Sequence, residues 1–168
     1  VLFLGTVETL AVGGQEFWWD ATADCDIDFE DLTLGTVYPA VSGFTTAGVP
    51  VTVRELYNPS APPSFGEAIV ENGGLACSFG NELWTNNCRA VFDFVAGPGP
   101  VHNLSIQFGE YGGHVNFAIN GDGRLVGNIQ DLHGLTLGGA TISVPSGGLG
   151  GDCGEIVVSG VVDQLDIG

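Results

Sequence analysis

Glycine and proline interrupt nearly every window of this chain, which restricts it to short structural elements. Of its 168 residues, 28 are glycine and 8 are proline. No stretch keeps a 3.6-residue apolar period over ten residues, whereas short β-rich runs are bounded by turn residues. Apolar residues alternate clearly in 101–108 and 114–119, and Asn-Gly-Asp-Gly at 120–123 is a hairpin signal. The pattern predicts an all-β fold, an antiparallel β-sandwich that is jelly-roll-like.

Twelve runs have the composition and flanking turn residues of β-strands. They are residues 1–4, 7–12, 16–19, 27–32, 49–56, 68–70, 90–94, 101–108, 114–119, 124–130, 135–144 and 155–167. A chain of 17.3 kDa supplies one such domain. It does not open with Met, so we expect a leader or an upstream region to be missing.

The charge is strongly one-sided. Twenty Asp and Glu residues face three basic ones, Arg54, Arg89 and Arg124, and the net charge is −17 without a single lysine. Such a field repels phosphate backbones and anionic lipids, which argues against nucleic acid and membrane surfaces as partners. No apolar run approaches the roughly 20 residues of a membrane span, so we expect no membrane insertion.

The first and last thirteen residues match one another without a gap, at a constant offset of 155. The identical pairs are Gly5/Gly160, Val7/Val162, Leu10/Leu165 and Gly13/Gly168, and the chemically similar pairs are Val1/Ile156, Glu8/Asp163 and Val12/Ile167. Chance resemblance between two amphipathic strands is the alternative explanation. Because the match lies at the two termini, it indicates one unit cut from an array of similar domains.

This repeat predicts two parts. Residues 1–24 would be a linking or donor strand, a copy of the terminal strand of a preceding unit, and residues 25–168 the β-sandwich domain. An open sheet edge accepts an extra strand through main-chain hydrogen bonds, which leads to linear assembly of copies of the chain. The expected interface residues are Val7, Leu10, Val12, Phe17, Trp18 and Trp19.

Five motifs together resemble secreted β-sandwich modules repeated in surface and extracellular proteins of bacteria and archaea. They are residues 13–18 (Gly-Gly-Gln-Glu-Phe-Trp), 29–35 (Phe-Glu-Asp-Leu-Thr-Leu-Gly), 43–49 (Gly-Phe-Thr-Thr-Ala-Gly-Val), 108–113 (Phe-Gly-Glu-Tyr-Gly-Gly) and 116–121 (Asn-Phe-Ala-Ile-Asn-Gly). In such modules the 29–35 motif opens the domain and the 13–18 motif closes it, so the order here is again that of a cut repeat. The resemblance implies extracellular, structural or adhesive work.

Four cysteines, Cys25, Cys77, Cys88 and Cys153, lack a Cys-x-x-Cys pair, which disfavours structural zinc. We expect two disulfides and an oxidising compartment, although buried free thiols are the alternative. Three connectivities are open. The local loop favours Cys77–Cys88, which would leave Cys25–Cys153.

The acidic stretch around residues 20–31 raises the question of calcium. On a strand, Asp24, Asp26 and Asp28 would share one side and could contribute to a calcium site. A solvated acidic edge that prevents sideways aggregation is the simpler interpretation, and we otherwise expect no cofactor. Glu82 beside Trp84 and Glu110 beside Tyr111 are acids with aromatic neighbours, yet no nucleophile–base motif or metal-ligand spacing occurs, so we expect no enzyme.

The aromatic triplet and one sequon complete the candidates. Trp18 faces away from Phe17 and Trp19 on a strand, so one side could stack on sugar rings, while burial at an interface fits equally. Asn103 lies in the one usable N-glycosylation sequon, Asn-Leu-Ser. We therefore predict a structural subunit of an extracellular fibre or surface assembly. The alternative is a carbohydrate-binding or adhesin module of a larger secreted protein.

Overall fold

The computed structural model describes residues 27–60, 62–63, 65–76 and 79–168. Over these residues the chain forms thirteen β-strands and one short 3₁₀ helix, Ile129–Leu132. The strands are β1 (Val37–Pro39), β2 (Gly43–Thr46), β3 (Val49–Glu55), β4 (Glu67–Glu71), β5 (Glu82–Asn86), β6 (Cys88–Asp93), β7 (Val101–Gly109), β8 (Val115–Ile119), β9 (Asp122–Val126), β10 (Thr136–Leu137), β11 (Ala140–Gly148), β12 (Asp152–Val162) and β13 (Gln164–Ile167). The all-β prediction is confirmed.

The strands form three antiparallel sheets. The largest has the order β2-β3-β6-β13-β8-β9, the second β10-β11-β12-β7 and the smallest β1-β4-β5. All the pairings within them are antiparallel. Among the described residues, no helix is long and apolar enough to cross a membrane.

Both smaller sheets cover the same face of the six-stranded sheet. On β3, Val49 and Val51 line the main core, whereas Val53, two residues further, lines a small second cluster. On β6, Phe92 lies in the main core and Cys88 in the small cluster. Since every second residue of a strand faces the same way, both clusters lie on one face. The four-stranded sheet encloses the main core and the three-stranded sheet the small one, an arrangement consistent with a β-sandwich.

The hairpin predicted at residues 120–123 is confirmed. Asn120 and Gly121 connect β8 to β9 with φ values of 52° and 81°. A two-residue turn of the primed type needs positive φ at both central positions, which asparagine and glycine tolerate best.

Several predicted strand boundaries are wrong. Residues 27–32 are not a strand: Phe29 has a φ of 60°, and neighbouring acidic side chains bind backbone N–H groups. The predicted strand 124–130 ends earlier, and the 3₁₀ helix occupies its last residues. Residues 135–144 form two strands separated by a Gly138–Gly139 turn, and residues 155–167 turn a corner at Asp163 between β12 and β13.

Candidate interface site

The outer edge of β7 is the longest open strand edge in the described part of the chain. In the four-stranded sheet β7 has β12 on one side, and no described strand on the other. It spans nine residues, while the remaining edge strands span two to five. An open edge of this length presents a row of N–H and C=O groups that can pair with another strand. We call this side of residues 101–109 the β7 edge.

The apolar side of the β7 edge is incompletely covered. Phe108 is buried, whereas Leu104 and Ile106 are half-buried although both pack against the main core. The apolar alternation predicted for residues 101–108 is thus confirmed, since these three residues face the same core. On the opposite side Ser105 and Gln107 are exposed. A strand added here would cover two aliphatic side chains spaced two residues apart.

A β-bulge divides the β7 edge into an irregular start and a regular end. Residues 159 and 160 of β12 lie opposite the single residue Asn103, which has a φ of 62°. From Leu104 to Gly109 the register with β12 is uninterrupted for six residues. Bulges are a common protection of exposed edges, so the segment available for pairing is the regular end. Asn103 itself is exposed, and its glycosylation stays a prediction.

The C-terminal repeat, residues 156–168, occupies structurally demanding positions. Val162 and Leu165 are 0% and 4% exposed, so both belong to the core. Gly160 has a φ of +142°, and a Cβ there would lie 3.0 Å from Ala140. Gly168 has a φ of +150°, and a Cβ there would lie 2.5 Å from the carbonyl oxygen of Cys88. These are the four positions at which residues 1–13 carry the identical amino acid.

The corner between β12 and β13 is held by Asn120. Its Oδ1 accepts hydrogen bonds from the N–H groups of Asp163 and Gln164, at 2.8 and 3.1 Å. Its Nδ2 donates to the carbonyl oxygens of Gly138 and Val161, at 3.1 and 3.0 Å. Asn120 therefore ties the β8–β9 turn to the corner and to the β10–β11 turn. The sequence predicts a turn at Asn120, but it does not predict these contacts with the corner and the β10–β11 turn.

The final strand of the domain is internal. β13 pairs with β6 on one side and β8 on the other. β13 therefore has no free edge for an added strand, and the longest open edge in the described part of the chain is that of β7. The expected interface residues Val7, Leu10, Val12, Phe17, Trp18 and Trp19 fall outside the described residues, as does the 1–24 segment.

The described acids of the acidic stretch have local structural contacts. Asp28 is exposed, and its Oδ1 accepts from the Glu30 N–H at 3.0 Å. Asp31 accepts from the hydroxyl of Thr46 at 2.7 Å and from the Ala47 N–H at 2.9 Å. These hydrogen bonds lower the pKa of Asp31, and the bond from Thr46 has the largest effect. Within the described ranges no group of three His, Cys, Asp or Glu could hold a metal. Asp24 and Asp26 fall outside them, so the calcium hypothesis stays a prediction.

The predicted Cys77–Cys88 pairing is wrong. Cys88 is a free thiol with 1% exposure, in the small cluster with Val53 and Ala68. Burial raises the pKa of the Cys88 thiol, and the nearby carboxylate of Glu67 adds to this effect. The pairing was predicted because the two cysteines are close in sequence. In β6, however, the Cys88 side chain faces the small core cluster. Cys153 is disulfide-bonded, and Cys25 and Cys77 lie outside the described residues.

The two acids with aromatic neighbours are buried and bind backbone groups. Glu82 is 8% exposed; its Oε1 accepts from Gly73 N–H at 3.1 Å and Leu75 N–H at 3.0 Å, and its Oε2 from Ala76 N–H at 2.9 Å. Glu110 is 4% exposed and accepts from the Ile129 N–H at 3.0 Å. Each carboxylate thus holds a loop or a helix start in place. Their aromatic sequence neighbours gave no signal for this role.

No protein-family model, curated protein sequence or solved structure matches this chain. The candidate interface therefore rests on the geometry of the described residues and on the terminal repeat.

Proposed function

We propose that this protein is a structural subunit of an extracellular fibre or surface assembly. In this proposal residues 1–20 of one copy add as a strand to the β7 edge of the next copy. The partner is thus the same chain, and no reaction is involved. The observation that carries the proposal is the nine-residue open edge with two half-covered aliphatic side chains.

The aromatic triplet has the spacing that this edge requires. Phe17 and Trp19 are two residues apart and would face the same side of a donated strand. Leu104 and Ile106 have the same two-residue spacing on the β7 edge. Cross-strand pairing of aromatic with aliphatic side chains would therefore cover the exposed part of the core, and main-chain hydrogen bonds would set the register.

The terminal repeat supports a chain of like units. All four identities fall on positions where the C-terminal copy needs a core side chain or a residue without a Cβ. Residues 1–13 thus retain what a strand–corner–strand element requires.

The charge imposes a condition on assembly. Two of the three arginines already pair with acids of their own chain, Arg89 with Asp166 and Arg124 with Asp122. At a net charge of −17, contact between copies requires screening of the repulsion. The Debye length falls from about 30 Å at 0.01 M salt to about 8 Å at 0.15 M. Assembly should therefore strengthen with ionic strength.

The test compares the full chain with a variant lacking residues 1–20, by negative-stain microscopy and light scattering at 0.15 M salt. We expect filaments from the full chain and monomers from the truncated one. Ile106→Ser should weaken assembly, whereas Gln107→Ser, on the exposed side of the same strand, should not. Filaments from the truncated chain, or equal effects of the two substitutions, would reject the proposal.

The proposal also includes the order in which the strands are connected, the location of the protein and its glycosylation. They are a jelly-roll-like connection of the strands, secretion to the extracellular space and a glycan at Asn103. Because Asn103 sits in the bulge, a glycan there would leave the regular segment 104–109 free. A carbohydrate-binding or adhesin module is the competing outcome. Binding on a glycan array that is lost in Trp18→Ala or Trp19→Ala, by a chain that stays monomeric, would favour it.

A further inference from the structure

The structure restricts the disulfide partner of Cys153 to two residues. The chain has four cysteines, and Cys88 is buried and free. Cys153 is disulfide-bonded. Its partner within the chain is therefore Cys25 or Cys77.

The surroundings of Cys153 point to the loop between β4 and β5. Cys153 lies directly opposite Gly109 in the β12–β7 ladder. Residues directly opposite one another project their side chains on the same face of a sheet, with Cα atoms about 4.5–5.5 Å apart. A Cβ on Gly109 would collide with the carbonyl oxygen of Leu75. The backbone of Leu75 thus lies over the face on which the Cys153 side chain projects.

This loop is held in position up to the residue that precedes Cys77. The buried carboxylate of Glu82 accepts from the N–H groups of Leu75 and Ala76. The hydroxyl of Tyr111 donates to the Leu75 carbonyl oxygen at 3.4 Å. Consecutive Cα atoms are about 3.8 Å apart, so the chain itself limits the distance between the Cα atoms of Leu75 and Cys77 to at most about 7–8 Å. A disulfide needs Cα atoms about 4.4–6.8 Å apart, and a cysteine two residues after Leu75 has the reach to meet this requirement at Cys153.

The segment that leads to Cys25 makes its described hydrogen bonds away from β12. Asp31 binds Thr46 and Ala47 at the β2–β3 turn, and Phe29 packs against Phe92 with ring centroids 6.4 Å apart. Glu30 accepts from the Asn81 N–H, at the start of β5. Ile27 and Phe29 also pack against the main core, which β12 shares with several other strands, so no described contact of residues 27–31 is specific to β12.

We propose that Cys153 forms its disulfide with Cys77. The bond joins the β4–β5 loop of the three-stranded sheet to β12 of the four-stranded sheet, and it leaves Cys25 and Cys88 as thiols. Its formation oxidises two thiols: one S–S bond forms, and two electrons and two protons pass to an acceptor disulfide, which is reduced to two thiols. This pairing differs from both predicted bridges and does not depend on the proposed assembly.

The three arginines make the pairing directly measurable. The protein is unfolded without reductant in the presence of N-ethylmaleimide and digested with trypsin, which cleaves after Arg54, Arg89 and Arg124. Cys25 is then in peptide 1–54, Cys77 and Cys88 in peptide 55–89, and Cys153 in peptide 125–168. We expect peptide 55–89 joined to 125–168, with one maleimide on the joined pair and one on peptide 1–54.

Two variants separate the cysteines that share a peptide. Cys88→Ser should keep the cross-link, and Cys77→Ser should abolish it and release peptide 125–168 with a maleimide. A cross-link between peptides 1–54 and 125–168 would overturn the proposal. So would maleimide on all four cysteines of protein isolated from an oxidising compartment, or a cross-link lost in Cys88→Ser while the variant remains folded.

Discussion

A substitution of Asn120 tests how the four-stranded sheet is joined to the six-stranded sheet. The substitution Asn120→Ala removes four side-chain hydrogen bonds of 2.8–3.1 Å to the β12–β13 corner and the β10–β11 turn. It also places alanine at a φ of 52°. A net hydrogen bond contributes about 0.5–1.5 kcal/mol, and the left-handed conformation costs a residue with a Cβ about 1–2 kcal/mol. We expect the free energy of unfolding to fall by roughly 3–8 kcal/mol.

A matched control separates the hydrogen bonds from the backbone strain. Asn87, in the link between β5 and β6, has the same φ of 52°, but the side-chain bond it makes is a single exposed one, to Asn86. Asn87→Ala should therefore cost about 1–2 kcal/mol. Urea unfolding followed by circular dichroism gives both values, provided that the slopes agree. If the two variants differ by less than about 0.5 kcal/mol, the assignment of Asn120 as the corner anchor is refuted.

Three further predictions follow from described contacts. Glu82→Gln should lower the free energy of unfolding by about 2–4 kcal/mol, since it disturbs three bonds from backbone N–H groups to a buried carboxylate. Glu155→Gln, at a half-buried site where the carboxylate accepts one hydrogen bond from the Ser105 hydroxyl, should lower it by less than about 1 kcal/mol in the same urea experiment. The pKa of Asp31 is lower in the folded protein than the unfolded value of 3.8, so its carboxylate stabilises the fold above pH 3.8, and this contribution is lost as the pH falls through the folded pKa. In thermal melts between pH 5 and pH 3, Asp31→Asn should therefore lose less stability than the unmodified protein. Equal losses in the two proteins would contradict a stabilising role of the Asp31 carboxylate. Cys88 should resist maleimide in the folded protein and react on unfolding, as measured on peptide 55–89 by mass spectrometry; rapid labelling in native conditions would contradict its burial.

Local pattern was enough to predict the fold class and several strands. The alternation of residues 101–108 and 114–119 and the turn at 120–123 appear in the structure as β7, β8 and their hairpin. These signals depend on side chains that are close in sequence, so they can be read without knowing the fold. The same reasoning identified the face shared by Leu104, Ile106 and Phe108, which forms the core side of the β7 edge.

Features that depend on distant contacts could not be predicted. Residues 27–32 have strand composition, but Asp31 binds the β2–β3 turn and Phe29 takes a positive φ. Strands β1, β2 and β5 span only three to five residues, too few to show a clear pattern. Whether Cys88 faces the core or a partner depends on sheet packing, and Glu82 and Asn120 act on residues whose proximity only the fold creates. That β7 lies at an edge likewise follows from strand order, which composition does not specify.

Hydrogen exchange along the β7 edge tests the central proposal most directly. The full chain under assembling conditions is compared with the variant lacking residues 1–20, and deuterium uptake is followed by mass spectrometry on peptic fragments covering residues 101–109. The proposal predicts slower exchange in residues 104–109 of the full chain, at amides that face away from β12, and a protection that weakens on dilution. Equal uptake by the two proteins while the full chain is assembled would contradict it.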